Sequence, residues 1–418
     1  MLKLLVLADD FTGALDTGVQ FSKQGAKTQV TTDINIDFEQ VCEMYDVVVI
    51  DTESRYLNGE DANRLIHAIL TRAKSFAVPY IYKKVDSALR GNVSSELQAL
   101  IEVYENKTLN FIPAFPEINR TVVDGNLYIG EDLVSESVFA NDPYEPVLES
   151  NIIQLLKNND IDSKSVTINN YENYDSSILV FDSKTDSDLE KIINRLSVSN
   201  RLHLTAGCAG FAKFLAKELF KQENNAKVTI SYPLAVMCGS INPITKKQVI
   251  YATKQGHVRF QLNGQQLLER NYWESENGHK NISNFLNNVS VNKIVIFDTF
   301  SDETTSSLLS FASEKGINQE EIRFKIGQSI GLLTKVLLES NIKRTILFTG
   351  GDTLFQSMSV LGINAITPIS EIAPGVVLSS MTWHGKEYQV MTKSGGFGDK
   401  GLFEEINNMA EKQEELIC

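Results

Sequence analysis

The sequence predicts an α/β protein of two domains, each built on a mostly parallel sheet flanked by helices. Three observations lead there. A short apolar strand, a loop rich in Gly, Asp, Ser or Thr and an amphipathic helix recur as a unit along the chain. Strands that alternate with helices form parallel sheets, because a parallel connection must cross the sheet and a helix is the usual means. The 418 residues fill two domains at roughly 100–200 residues each. The polar stretch Lys221 to Lys227 (KQENNAK) reads as the linker between an N-terminal domain, 1–225, and a C-terminal domain, 226–418.

In chain order, the first unit is the strand Lys3 to Ala8, the loop Asp9 to Gly13 and the helix Ala14 to Gln24, with Gly25 supplying a left-handed stop. Val47 to Ile50 is a further strand. Tyr80 to Val85 leads through Asp86 to Asn92 into a helix around Ser94 to Tyr104. Arg201 to Thr205 leads through Ala206, Gly207 and Cys208 into the helix Phe211 to Phe220. In the second half Leu234 to Cys238 enters the loop Gly239 to Asn242, and Thr345 to Thr349 enters Gly350 to Thr353. Tyr388 to Thr392 enters Lys393 to Gly398, ahead of the helix Gly401 to Lys412. Asn263 to Asn288 is polar with little periodicity and is expected as loop and irregular helix, and Met409 to Cys418 as the frayed end of the last helix. Open parallel sheets bind ligands beyond the carboxyl ends of their strands, where all of these loops lie.

Composition narrows the function classes. Hydrophobic residues make up 42% and charged residues 22%, with 25 Gly and 9 Pro, which excludes collagen-like, low-complexity and disordered chains. Lys and Arg total 39 against 53 Asp and Glu, a formal net charge of −14. With no basic patch, such a chain repels nucleic acid and anionic membrane. No apolar run approaches the ~20 residues that span a bilayer, and MLKLLVLADDFTGA meets carboxylates before a signal sequence can develop, so a soluble, cytoplasmic protein is expected. Cys42, Cys208, Cys238 and Cys418 lack disulfide-framework or zinc spacing and are expected as reduced thiols. His67, His203, His257, His279 and His384 form no metal-ligand pattern.

The loops carry the chemistry. In Lys393-Ser394-Gly395-Gly396-Phe397-Gly398, glycines let backbone N–H groups approach an anion closely and the following helix N-terminus adds a favourable dipole, which suits phosphate. Gly350-Gly351-Asp352-Thr353 and Gly239-Ser240-Ile241-Asn242-Pro243 are two more loops of this kind. Asn242 with Pro243 also suits a helix cap, as do Asp352 and Thr353, but capping alone does not call for this much glycine. Neither a Walker A string nor GxGxxG is present, which disfavours a P-loop and a standard dinucleotide fold.

In the first half Asp9 and Asp10 end a strand. Adjacent side chains of an extended backbone point opposite ways, so one is expected to face the ligand and the other to cap the helix or orient a partner. Lys83 to Asn92 (KKVDSALRGN) gathers two lysines, an acid, an arginine and small polar side chains. An Arg fork matches a carboxylate, a Lys gives a point charge, and an Asp accepts a hydroxyl proton, a set suited to a small hydroxylated acid. Arg55 and Arg120 are further candidate arginines.

Together these strings resemble the four-carbon acid sugar kinase family. The resemblance spans essentially the whole chain and rests on LADDFTGA at Leu7 to Ala14, KKVDSALRGN at Lys83 to Asn92 and PAFPEINRTVVDGNLYIG at Pro113 to Gly130. It continues in CGSINPITKKQ at Cys238 to Gln248, TGGDT at Thr349 to Thr353, EIAPGV at Glu371 to Val376 and KSGGFG at Lys393 to Gly398. It implies ATP-dependent phosphorylation of the terminal (C4) hydroxyl of threonate, erythronate or 3-oxo-tetronate, with Mg2+. It also implies an acid-binding N-terminal domain, a nucleotide-binding C-terminal domain and an active site in the cleft between them. Carried over by position, Ser240, Gly350, Gly351, Asp352, Thr353, Lys393, Gly395 and Gly396 would meet the nucleotide, with EIAPGV, and Gly375 within it, near the base or ribose. Asp10, Arg55, Lys84, Asp86, Ser87 and Arg90 would recognise the acid, with Asp10 or Asp86 as the catalytic base. The sequence does not separate these two aspartates or identify the Mg2+ ligands, and it leaves a homodimer open. A dehydrogenase of the same acids and a non-catalytic sugar-acid sensor are the rival readings. The absence of GxGxxG counts against the first, and a lack of acid-stimulated ADP release would mark the second. Ala206 to Gly210 carries Cys208 where a more Ser- or Gly-rich string is expected, and Asn141 to Pro146 matches a family loop near the substrate only loosely; both bear on which acid is used.

Overall fold

Leu4–Ala8 and Val47–Asp51 are buried at every residue, as strands covered on both faces are, so they need no alternation of apolar and polar residues. The structure is a computed structural model that describes residues 1–105, 107–142, 145–221, 229–231, 233–239, 242–299 and 302–415. It divides into two units, Met1–Asn225 and Ala226–Cys418.

In the first unit the strands are β1 (Leu4–Ala8), β2 (Thr28–Thr31), β3 (Val47–Asp51), β4 (Tyr80–Lys84), β5 (Leu109–Ile112), β6 (Arg120–Val123), β7 (Asn126–Ile129), β8 (Asp132–Leu133), β9 (Ser163–Val166), β10 (Ile178–Phe181) and β11 (Leu204–Gly207). The main sheet runs β2-β3-β1-β4-β11-β5-β10-β9, and every pair in it is parallel. From β1 the chain builds out to β2 and back to β3, then crosses to β4 on the other side of β1. That reversal opens a crevice at the carboxyl ends of β3, β1 and β4. β6, β7 and β8 form a small antiparallel sheet that the strand-helix pattern does not foretell.

The second unit repeats the device with β12 (Leu234–Cys238), β13 (Val258–Gln261), β14 (Ile294–Asp298), β15 (Thr345–Thr349), β16 (Ala365–Ala373), β17 (Val376–Trp383) and β18 (Lys386–Lys393). Its order is β13-β14-β12-β15-β18-β17-β16. The first five strands are parallel, while β16, β17 and β18 pair antiparallel. The reversal falls between β12 and β15, so the loops that leave them share a crevice with the loop after β18. Val236, Ile296, Leu347 and Met391 from four of these strands share a core with Val249 and Phe403 from the flanking helices, each such burial contributing about 1.5–3 kcal/mol.

Two stretches differ from expectation. Asn263 to Asn288 contains the regular helices Gly264–Leu268 and Glu276–Val291. Ile282, Phe285, Leu286 and Val289 do follow helical spacing, but several low-propensity asparagines dilute the stripe. The C-terminal helix continues to Glu415. Among the described residues no helix is long and apolar enough to cross a membrane, and Cys42, Cys208 and Cys238 are free thiols.

Candidate functional site

In the first unit the ends of β1, β3 and β4 bring the predicted acid-binding residues into one network. Arg55 follows β3 and is only 6% exposed. Its Nε donates to Asp9 Oδ2 at 2.8 Å, and its Nη2 lies 2.7 Å from both Asp9 Oδ2 and Asp10 Oδ1 and 3.7 Å from Asp86 Oδ1. Lys84 Nζ stands 3.6 Å from Asp9 and 3.9 Å from Asp10. The two aspartates therefore converge on the same cations, contrary to the expectation that they diverge. The chain has left the sheet after Ala8, so strand alternation no longer governs their directions. Asp10 also caps the helix Phe11–Lys23, its Oδ1 accepting from Gly13 N–H at 3.2 Å.

The turn after β4 is built around Asp86. Its Oδ2 accepts from Ala88 N at 3.0 Å, Arg90 N at 3.3 Å and Arg90 Nε at 3.0 Å, while its Oδ1 accepts from Arg90 Nη2 at 2.9 Å. Burial alone would raise this carboxyl, but the Arg55 and Arg90 guanidinium groups overcome it and hold Asp86 well below the usual carboxylate range. Burial likewise opposes charge on Arg55, and Asp10 and Asp9 hold it well above the ordinary arginine value. Arg90 is shared with Asp142, whose Oδ2 accepts from Nη1 at 3.1 Å, so the loosely matching Asn141 to Pro146 segment does reach this site. Pro143 and Tyr144 within it lie outside the described residues. Ser87 is half-buried beside Asp86, and its hydroxyl has no partner among the described residues.

Glycine and asparagine hold these turns together. A Cβ on Gly13 would lie 2.6 Å from Asp10 Oδ1, and one on Gly91, at φ +82°, would lie 2.8 Å from Arg55 Cγ. Asn92 Nδ2 donates to the carbonyls of Ser54 at 2.9 Å and Leu57 at 2.6 Å, which ties the Arg55 turn to the Asp86 turn. Cys208, unexpected by type, is a buried thiol that donates to the carbonyls of Pro113 and Ala114 at 3.2 and 3.3 Å. Burial pushes it up to about 11, which makes it an anchor and not a nucleophile.

In the second unit Ser240 lies outside the described residues. The other predicted loops meet at the carboxyl ends of β12, β15 and β18. Gly350 N–H donates to Lys393 O at 2.8 Å and Ser394 N–H to Gly375 O at 2.9 Å. A Cβ on Gly239 would lie 2.5 Å from Thr353 Oγ1, and one on Gly375 2.6 Å from the Phe397 ring. The loop after β18 has its carbonyls pulled inward. Lys393 Nζ donates to Ser394 O at 2.9 Å and Gly395 O at 3.1 Å, and Thr245 Oγ1 also donates to Gly395 O at 3.1 Å. Gln248 Nε2 lies 3.0 Å from the carbonyls of Phe397, Gly398 and Asp399. The N–H groups of Gly395 and Gly396 have no acceptor among the described residues, which leaves an anion cradle of backbone donors.

Thr245 and Gln248, on the helix Pro243–Lys254, lie within CGSINPITKKQ, and one helical turn's spacing is their signal in the sequence. Thr353 is buried, its hydroxyl spent on Thr349 O at 3.1 Å, and Asp352 is half-exposed and paired with Arg323. Lys393 is fully buried with no carboxylate beside it among the described residues, and burial pulls it down to about 8.

A family model described as a sugar-binding N-terminal domain matches residues 4–215, and one described as a nucleotide-binding C-terminal domain matches residues 235–403. This chain belongs to the four-carbon acid sugar kinase family. Among relatives, it is 27% identical to the D-threonate kinase of Salmonella typhimurium over 95% of this chain and 96% of that one. It is 24% identical to the 3-oxo-tetronate kinase of Pseudomonas savastanoi pv. phaseolicola over 95% of each chain. It is also 24% identical to the D-erythronate kinase of Heliobacterium modesticaldum over 90% of this chain and 89% of that one. A crystal structure from Salmonella typhimurium LT2 shares the family fold with a TM-score of 0.80 at 23% identity, covering 98% of this chain and all of that one.

Proposed function

We propose that this family member is an ATP-dependent kinase that phosphorylates the terminal C4 hydroxyl of a four-carbon sugar acid of the threonate, erythronate or 3-oxo-tetronate kind. The observation that carries the reading is the chemistry at the two strand-end crevices. One gathers arginines, a lysine and carboxylates suited to a hydroxylated acid, and the other presents unpartnered glycine N–H groups suited to phosphate.

Phosphoryl transfer asks a protein for positioning and charge neutralisation more than for covalent work. The C4 oxygen attacks the γ-phosphorus as the bond to the β,γ-bridging oxygen breaks, ADP leaves, and the hydroxyl proton passes to an aspartate. Of the two candidates, Asp10 suits that role. Its Oδ1 is engaged by Gly13, Arg55 and Lys84, while its Oδ2 has no hydrogen-bond partner among the described residues. Asp86 has both oxygens occupied and is too weak a base. Mg2+ binds through one or two carboxylates together with phosphate oxygens and water, and the half-exposed Asp352 in the Gly350–Thr353 loop would hold it through the oxygen not paired with Arg323. When bound, the ion neutralises triphosphate charge.

Purified protein incubated with MgATP and a panel of four-carbon acids is expected to release ADP only with its cognate acid and to yield the 4-phosphate. A raised melting temperature with an acid but no ADP release would favour a sensor, and acid-dependent reduction of a dinucleotide would favour a dehydrogenase.

A further inference from the structure

Four cations approach the crevice of the first unit, and three are already committed. Arg55, Lys84 and Arg90 face Asp9, Asp10, Asp86 and Asp142. Each cation of that network already faces a carboxylate, so the carboxylate of a hydroxylated acid held there calls for a further cation that is not yet paired.

Arg120, the first residue of β6, differs. It makes no ion pair among the described residues. Among the described residues its Nη1 donates only to Ile118 O at 3.1 Å, and its Nε is buried with no acceptor. Its guanidinium lies 5.2 Å from the centroid of the Phe139 ring, the same ring that carries Arg90 at 5.3 Å. Burial draws Arg120 below the ordinary arginine range, with Asp86 opposing weakly and Arg90 reinforcing, whereas Arg55 and Arg90 are both raised. A half-buried fork whose Nε is buried without an acceptor among the described residues, fixed against an aromatic face, is an arginine short of an anion.

We propose that Arg120 seats the carboxylate of the four-carbon acid and so selects acids over neutral polyols. The assignment rests on the kinase reading above. Contacts run from Arg120 through Phe139, Arg90, Asp86 and Arg55 to Asp10. The substrate therefore lies with its carboxylate at the β6 end of this chain of contacts and its far hydroxyl at the Asp10 end.

The test compares the acid with its uncharged carboxamide, by calorimetric binding to the full chain and by ADP release. Wild type is expected to prefer the acid. In Arg120→Gln, acid affinity should fall about 30-fold, within the range of a charged hydrogen bond, while carboxamide affinity and the KM for ATP move less than about 3-fold. Arg120→Lys, which keeps the charge but not the fork, should lie between and covers the case of a poorly folded Gln variant. An acid-to-amide preference that survives in both variants, or an equal loss for both ligands, overturns the proposal. If wild type binds the acid without releasing ADP, the kinase reading fails while the binding comparison still decides the role of Arg120. If it binds no four-carbon acid, both fall.

Discussion

Asp10 and Asp86 share one network yet predict different phenotypes. On the kinase reading, Asp10→Asn removes the proton acceptor and one negative charge facing Arg55 and Lys84 but keeps a side-chain oxygen to cap Gly13 N–H, so kcat should fall by about 10²–10⁴-fold, well beyond any rise in KM for the acid. Asp86→Asn leaves Arg90 without its bidentate partner in a buried turn, so the expected result is a lowered melting temperature from a loss of about 3–5 kcal/mol, together with a raised KM for the acid. Steady-state kinetics and thermal melts on both variants check this, and similar kcat losses in the two would remove the distinction. The sequence made the residue types legible but not the distinction between them. Both aspartates end strands beside cations, and what separates them is which oxygen the fold has already spent. The same holds for Arg120, a candidate in the sequence beside Arg55 but distinguished from it only by what it fails to meet among the described residues of the fold.

At the scale of an element, the loop after β18 is a device for turning carbonyls inward, and Lys393 is its least comfortable part. Burial holds this lysine near 8, against roughly 10.4 in an unfolded chain; Cys238 is the titratable group that faces it. Between those two pH values the unfolded chain binds the extra proton, so this group makes stability climb as pH rises through the window. Below about pH 8 the fold carries the full cost of the buried ammonium, about 3 kcal/mol. In Lys393→Met the climb should vanish while ADP binding weakens, because the Ser394 and Gly395 carbonyls lose their donor. Paired melts from pH 7 to 11 check it, and a constant gap between the two curves would refute the assignment. Gly375→Ala probes the same loop from the β16–β17 turn. At φ +70°, with its new Cβ 2.6 Å from the Phe397 ring, it should destabilise by about 1–3 kcal/mol and raise KM for ATP but not for the acid. The strand, loop and helix units were readable from periodicity because fully buried strands and amphipathic helices write themselves into the sequence. The β16–β17 hairpin was not, since the strands flanking EIAPGV pair antiparallel with a register shift between Glu371 and Ala373, which breaks the alternation that would mark them. The three short strands β6 to β8 escaped for a similar reason: two to four residues carry too little pattern to register.

For the whole molecule, the strand order explains why the motifs fall where they do. In each unit the chain builds one way from its first strand and then reverses, and the reversal places Asp9 to Asp10 beside Lys84 to Arg90 in one sheet and Gly239 beside Gly350 in the other. That placement was legible, because strand-end loops were expected to hold the ligands. Among the described residues the cluster proposed for the acid lies in the first unit and the cradle proposed for phosphate in the second, and in-line transfer needs the attacking oxygen within about 3–3.5 Å of phosphorus. The kinase reading therefore requires that each ligand favour the arrangement of the chain that the other one uses, which makes their binding reciprocal. Titrating the full chain with ADP and Mg2+ in the presence of saturating cognate acid should give a Kd at least about 5-fold tighter than without it, a coupling of about 1 kcal/mol. The acid should tighten by the same factor when the nucleotide is held saturating. The Asp10→Asn variant should lose turnover by a larger factor than it loses coupling, since it removes the proton acceptor outright but takes only one of the carboxylates that face Arg55 and Lys84. Identical nucleotide affinities with and without acid, in a protein that binds both, would mean that the two crevices act independently, and the transfer mechanism would lose its physical basis.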